Sequence, residues 1–182
     1  MKKHFLVLGL LAATAVPASA EGVYIFGDAG QSKFSVDFDG ASLSETDTSF
    51  AFGVGYAINK TFSFEAAYRD LGGISSDDEY GESQFDMSAL QASVVAAFPI
   101  GSAVNIFGRL GLAQLSYDSS YEDYEDSDYD ESDSDSANKA VYGVGASYTL
   151  NENVSLRAEY NKYAEWDGLT TSAFTLGAVY SF

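Results

Sequence analysis

Large apolar residues alternate with small or polar ones along most of this chain, and beyond residue 20 no window holds a helical 3.6-residue apolar period for long. The clearest run sets Phe50, Phe52, Val54, Tyr56 and Ile58 against Ser49, Ala51, Gly53, Gly55 and Ala57. Tyr142, Val144, Ala146, Tyr148 and Leu150 repeat it against Val141, Gly143, Gly145, Ser147 and Thr149. Phe174, Leu176, Ala178, Tyr180 and Phe182 do so again at the end of the chain. Less regular versions cover 22–34, 62–74, 87–100, 104–117 and 155–167. Eight strands are predicted, each of ten or more residues. That exceeds the ~5–6 residues usual in soluble sheets and matches the ~9–11 of a tilted strand crossing a bilayer.

The connections are of two kinds. Residues 58–61, 100–103 and 150–153 read as tight turns, while 35–48, 75–86 and 118–139 read as long polar loops, with a short connection near 167–171. Long and short alternate strictly. The prediction is an all-β fold, an eight-stranded antiparallel up-and-down transmembrane β-barrel with every long loop at one end.

Parity assigns the faces. Phe62, Phe64, Ala66 and Tyr68 oppose Ser63, Glu65, Ala67 and Arg69; Leu156, Ala158, Tyr160 and Trp166 oppose Arg157, Glu159, Asn161 and Tyr163. Val104, Ile106, Leu110 and Leu112 oppose Asn105, Phe107 and Arg109, and Val23 and Ile25 oppose Tyr24, Phe26 and Asp28. The polar parity thus collects three acids, Asp28, Glu65 and Glu159, and three bases, Arg69, Arg109 and Arg157. Ions on a watery surface need not balance. Ions enclosed in a lumen must, because an unpaired buried charge costs several kcal/mol. Balance therefore points the apolar face at lipid and the six ions inward. Outward aromatics collect at both strand ends: Tyr56, Phe62, Phe64, Phe98, Tyr148, Tyr180 and Phe182 near the short turns, and Phe50, Tyr68, Tyr142, Trp166 and Phe174 near the long loops. Two such girdles flanking an aliphatic belt suit a membrane wall.

The N-terminus reads as a cleaved signal peptide over residues 1–20. Lys2 and Lys3 precede twelve apolar residues from Phe5 to Val16, then Ala18-Ser19-Ala20. Twelve are too few for a spanning helix, which needs about 20. Residues 21–182 are then the barrel domain, and the formal charge of −18 for all 182 residues becomes −20 once Lys2 and Lys3 are gone. The four longer connections hold 20 of the 27 acids, so the excess charge is a cap on one end. So acidic a surface excludes nucleic acid as the default partner.

Chemistry is narrowed by absence. The chain has no Cys, and its one His, His4, lies in the leader, so Ser–His, Cys–His and His-metal chemistries are missing from residues 21–182. No enzyme activity and no cofactor are expected. Residues 119–136 read SSYEDYEDSDYDESDSDS, a run whose charge repulsion keeps a solvated loop extended. The alternative is a weak, diffuse cation-binding set of Glu122, Asp123, Glu125, Asp126, Asp128, Asp130, Glu131, Asp133 and Asp135. An EF-hand is excluded, because Glu131 stands where its loop needs Gly and Ala137 where it needs Glu. Small inward residues such as Gly53, Gly55, Gly143, Gly145 and Gly177 leave open some water-filled space, so a narrow porin-like channel is a second reading. A soluble, lipocalin-like periplasmic barrel is a third.

The strand–turn–strand units running from Gly55 through Asn59-Lys60-Thr61 to Arg69 and from Leu150 through Asn151-Glu152-Asn153 to Tyr160, with the ending Ala178-Val179-Tyr180-Ser181-Phe182, resemble the OmpA-like outer-membrane β-barrel family and its OmpX/Ail and opacity-protein relatives. The resemblance spans residues 21–182. It implies insertion from the periplasm, exterior loops, and a lumen filled by Arg–acid pairs, for which Glu65, Arg69, Arg109, Arg157 and Glu159 are candidates. Tyr180 and Phe182 resemble the signal read by the barrel-assembly machinery. No part of the sequence matches the peptidoglycan-binding domain of full-length OmpA proteins, so a cell-wall tether is not implied. The expected role is structural or surface interaction in the outer membrane of a Gram-negative bacterium. Expected partners are outer-membrane lipid and lipopolysaccharide, the assembly machinery during biogenesis, and divalent cations or a host surface through the loops; the barrel is expected to be monomeric.

Overall fold

Alternating sequences make strands because successive side chains leave opposite faces, and a sheet buries one face only if it closes or packs. A computed structural model describes the backbone of residues 22–38, 41–77, 81–123, 131–164 and 169–182, and the side chains of 22–35, 44–73, 86–117, 135–164 and 169–182. Eight strands, β1 (Gly22–Phe38), β2 (Ala41–Ala57), β3 (Phe62–Asp77), β4 (Gly81–Pro99), β5 (Val104–Asp123), β6 (Glu131–Thr149), β7 (Val154–Tyr163) and β8 (Leu169–Ser181), form a closed antiparallel barrel in chain order. Following paired residues round the wall from Lys33 through Ser172, Lys162, Tyr142, Leu110, Val94, Phe64 and Tyr56 leads back to β1 at Val23, ten residues from the start. With ~3.3 Å per residue and ~4.8 Å between strands, that offset tilts the strands by about 40°.

The three short turns share one design. Ile58, Ile100 and Leu150 donate their backbone N–H to the carbonyls of Phe62, Val104 and Val154, at 2.9, 2.7 and 2.9 Å. Asn59 Oδ1 accepts from the N–H groups of Thr61 and Phe62, both at 2.8 Å, and Asn151 Oδ1 does the same for Asn153 and Val154 at 3.0 and 2.9 Å. The middle turn has Gly101 at φ +92° instead.

The long connections depart from expectation. Segments 35–48, 75–86 and 118–139 are largely strand: pairing continues to Phe38↔Ala41, Asp77↔Glu82 and Tyr121↔Glu131. Backbone pairing needs no apolar side chains, so a polar hairpin in water leaves no alternation to read. In the other direction, β7 stops at Tyr163 rather than 167, and Trp166 lies outside the described residues.

The outer face is the apolar one. Among the described residues 27 large apolar or aromatic side chains are exposed, including Phe52, Leu90, Leu110, Leu112, Val144 and Leu176 at 60–67%. A water-soluble monomer rarely shows an apolar patch above a few hundred Å². The lipocalin-like alternative is thereby corrected, since it needs these side chains inside. Lipid is the solvent of this belt.

Near the long-hairpin end the polarity inverts. Inside, Phe34, Leu71, Met87, Ala89, Ala113, Leu115, Val141, Tyr163 and Ala173 form one buried cluster, while Gln31, Lys33, Gln114 and Asn138 face outward and are exposed. The inner face is therefore not polar throughout, as parity alone suggested. Above the belt the outside is water, and the hydrophobic effect drives the large residues inward instead.

The wall also divides here. The β2–β3 ladder ends at Phe50↔Asp70 and the β6–β7 ladder at Val141↔Tyr163, leaving β8–β1–β2 and β3–β4–β5–β6 as two upright sheets. Side chains bridge the β2–β3 gap at its base. Ser49 Oγ donates to the Asp70 carbonyl at 2.7 Å, Ser32 Oγ donates to the Leu71 carbonyl, and the Asp47 carboxylate accepts from Thr48 and Gly73 N–H, each at 2.7 Å. Gly72, in a bulge at φ +75°, passes so close to Asp47 that a Cβ would strike the carboxylate. Asp47 lies above the aromatic Phe50, outside the membrane-spanning part. The two N–H donors hold its carboxyl below the ordinary 3.8.

A carboxyl lowered in the folded state stabilises above its unfolded value, and the contribution is lost as pH falls through the folded one. Asp47→Asn is accordingly expected to lower the thermal midpoint in detergent at pH 7, with the deficit shrinking towards pH 2. An equal deficit at both pH values would show that the charge is not what holds the seam.

Candidate functional site

The six ionisable residues singled out by parity all point into the lumen and fall into two groups. Arg69 forms a two-pronged pair with Asp28, Nη1 donating to Oδ1 at 2.7 Å and Nη2 to Oδ2 at 3.1 Å. The register explains why these two meet: Asp28 opposes Ala51 on β2, and Ala51 opposes Arg69 on β3. The other four close a ring. Arg157 donates to Glu65 at 2.8 and 3.2 Å and to Glu159 at 2.8 Å. Arg109 donates through Nε to Glu159 at 2.5 Å and through Nη2 to Glu65. Strands β3, β5 and β7 are thus tied across the barrel axis.

Tyr24, Phe26 and Phe107, inward by parity, and Ser93, which the sequence reading did not assign, complete the ring. Tyr24 Oη donates to Glu65 Oε1 at 2.7 Å, and Arg109 Nη1 donates to Ser93 Oγ. The Arg157 guanidinium stacks near two rings, 5.1 Å from the Phe26 centroid and 4.6 Å from that of Phe107. Above this layer Tyr163, wholly buried on β7, donates to Gln91 Oε1 on β4 at 3.2 Å. The signal for Ser93 and Gln91 lay in the β4 alternation of Gln91, Ser93 and Val95 with Leu90, Ala92 and Val94.

The inward glycines do not leave the space their size suggested. A Cβ at Gly53 would meet the Phe26 ring at 2.5 Å, one at Gly145 would meet the Phe107 ring, and one at Gly55 the Tyr24 ring. At Gly143 it would meet the Asn161 amide and at Gly177 Asp28 Cβ. These positions are small so that a neighbour's ring or side chain can lie flat across them. Five residues carry buried polar atoms without a hydrogen-bond partner among the described protein groups: Arg69 Nε, Gln91 Nε2, Arg157 Nε, both amide atoms of Asn161, and Thr175 Oγ1.

What the arrangement does chemically is neutralise itself. Each Glu carboxylate accepts from both guanidiniums. Among the described residues no group of three or more acids could hold a metal ion. Of the acidic segment, 124–130 lies outside the described residues, as do the side chains of Glu122, Asp123, Glu131 and Asp133. Asp135 is exposed and accepts from the Ser136 N–H at 2.7 Å. Tyr180 and Phe182 pack edge-on, with centroids 5.1 Å apart, on the outer wall at the short-turn end.

Breaking the ring from one side should be costly. Arg109→Met leaves two buried carboxylates short of a partner and is expected to destabilise the barrel by about 3–5 kcal/mol. Adding Glu159→Gln, which restores charge balance with Glu65 and Arg157, should recover part of that loss; urea unfolding in detergent of the two variants measures both.

The closed eight-stranded wall matches known structures. Comparison with solved structures shows the same fold in neisserial surface protein A, with a TM-score of 0.68 at 20% identity over 90% of this chain and 98% of that one. Ail of Yersinia pestis, in complex with sucrose octasulfate, gives 0.61 at 20% identity over 88% and 99%. The N-terminal barrel domain of Pseudomonas aeruginosa OprF gives 0.54 at 13% identity over 89% and 99%. No curated protein sequence matches detectably. The model of the outer membrane protein β-barrel domain matches residues 4–182, and the chain belongs to that family of outer-membrane barrels.

Proposed function

We propose that this outer-membrane barrel is a non-enzymatic, monomeric surface protein whose lumen is closed by its own side chains and whose long hairpins, rich in acid, face the cell exterior. The observation that carries this is the Arg109–Arg157–Glu65–Glu159 ring, with Arg157 lodged between Phe26 and Phe107. Eight strands leave an interior about wide enough for side chains. Here that interior holds a charged layer, a Tyr163–Gln91 bridge and an apolar cluster, stacked along the axis. The absence of His and Cys from residues 21–182 and the engagement of both buried Glu support a role without catalysis. Export through a leader at residues 1–20 and insertion guided by Tyr180 and Phe182 complete this reading. The acidic hairpin between β5 and β6 would then present charge to cations or a host surface.

A narrow channel is the second reading, favoured by the unpartnered polar atoms of Arg69, Gln91, Asn161 and Thr175. Planar-bilayer recording separates the two. The refolded barrel is expected to show no steady conductance, and a steady conductance that Arg157→Glu abolishes would establish the channel. Extraction is the companion check: the native protein should require detergent and shift its gel mobility on boiling in SDS.

A further inference from the structure

We propose that Lys33 and Lys162 form a docking site for the phosphate of an outer-leaflet lipid headgroup. The proposal rests on the long hairpins facing outward from the cell. Residues 21–182 carry seven basic side chains. Three are the lumen arginines, Lys60 sits in a short turn at the opposite end, and Lys139 lies on the inward parity of β6 with an interaction of its own. Lys33 and Lys162 are the two that leave the outer wall, and neither has an ion pair among the described residues.

Register brings them together. Lys33 opposes Ser172 on β8, and Ser172 opposes Lys162 on β7, so both lysines lie in one cross-strand row, about 10 Å apart at Cα. Two side chains of that length can close on a single phosphate from either side. Height agrees as well. At about 2.5 Å of height per residue in a tilted strand, Lys33 stands ~25 Å above Val23 and Lys162 ~19 Å, while the exposed Phe174 reaches ~17 Å. The lysines therefore cap the apolar belt at the level where the wall inverts its polarity, which is where lipid headgroups lie.

The surroundings fit a lipid rather than a soluble anion. Below the pair, Tyr160 on β7 and Phe174 and Leu176 on the intervening β8 are exposed and offer a face for acyl chains. Ser172, between the lysines, is a small neutral residue. The β7–β8 ladder ends at this row, while β8 and β1 stay paired above it to Val36↔Leu169, so Lys162 stands at the low rim of β7 beside a taller β8–β1 sheet. Among the described residues, the outward acids near this height, Asp70 and Asp86, belong to β3 and β4, off the β7–β8–β1 sector. Phosphate above and hydrocarbon below is the pattern of a phosphorylated lipid. Juxtamembrane lysines attract anionic headgroups in this way.

The test uses the refolded barrel, residues 21–182, in phosphatidylcholine vesicles containing either bis-phosphorylated lipid A or its enzymatically dephosphorylated form, with lipid retention read by native mass spectrometry. Wild type should retain the phosphorylated form about tenfold better, and K33A/K162A should abolish the preference while K33R/K162R keeps it. Both variants alter exposed or half-exposed side chains, and the heat-dependent gel shift verifies folding. Excess inorganic phosphate should compete poorly. Equal retention by wild type and K33A/K162A, or complete displacement by inorganic phosphate, would overturn the proposal. Orientation is read separately by labelling S136C on intact cells with an impermeant maleimide. Failure to label would refute the outward hairpins while leaving the lipid result to stand on its own.

Discussion

In hydrocarbon a backbone amide has no water to bond, and each unsatisfied group costs several kcal/mol, so the wall must pair every strand with two neighbours. Closure follows from that constraint, and most other features follow from closure. Eight tilted strands leave one narrow interior, and any polar side chain the wall must carry can go nowhere else. The glycines opposite Tyr24, Phe26 and Phe107 are part of the same accounting. Where a ring lies across the lumen, the facing strand has given up its Cβ.

The buried ring of two arginines and two glutamates answers a second constraint. Taking ions out of water is recovered only when donors and acceptors are matched, and here each carboxylate meets both guanidiniums. The ring crosses the axis rather than running along one strand, so it ties together elements that backbone pairing leaves apart. It sits at the level of the lipid belt. Above the belt the interior turns apolar around Phe34, Leu71, Met87 and Leu115 while the outside turns polar. One alternation thus serves two solvents, reversing its sense where hydrocarbon gives way to water.

Much of this was legible in advance, for a physical reason. A strand with lipid on one side and a packed lumen on the other must alternate, and the alternation exposed the strands, the short turns and the parity of Asp28, Glu65, Arg69, Arg109, Arg157 and Glu159. The hairpin extensions were not legible, because a two-stranded ribbon in water places no demand on either face. The apolar cluster at the long-hairpin end is hidden from parity, because the alternation changes sense where each strand passes from one solvent to another. The glycines misled for a related reason. A missing side chain marks either space or a neighbour, and one strand alone does not say which.

Residue pattern alone was enough to specify the number of strands, the face each residue takes and the segregation of charge from the wall, since all three depend on period and on what surrounds each face. Which arginine meets which carboxylate depends on register and shear, which act between strands far apart in the chain. Arg157 and Glu65 are 92 residues apart, and Arg109 and Glu65 are 44 apart. The split of the upper wall, the Asp47 seam and the Lys33–Ser172–Lys162 row are likewise set by where ladders end. Those endpoints balance backbone pairing against the curvature of a closed sheet, and only the assembled barrel decides that balance.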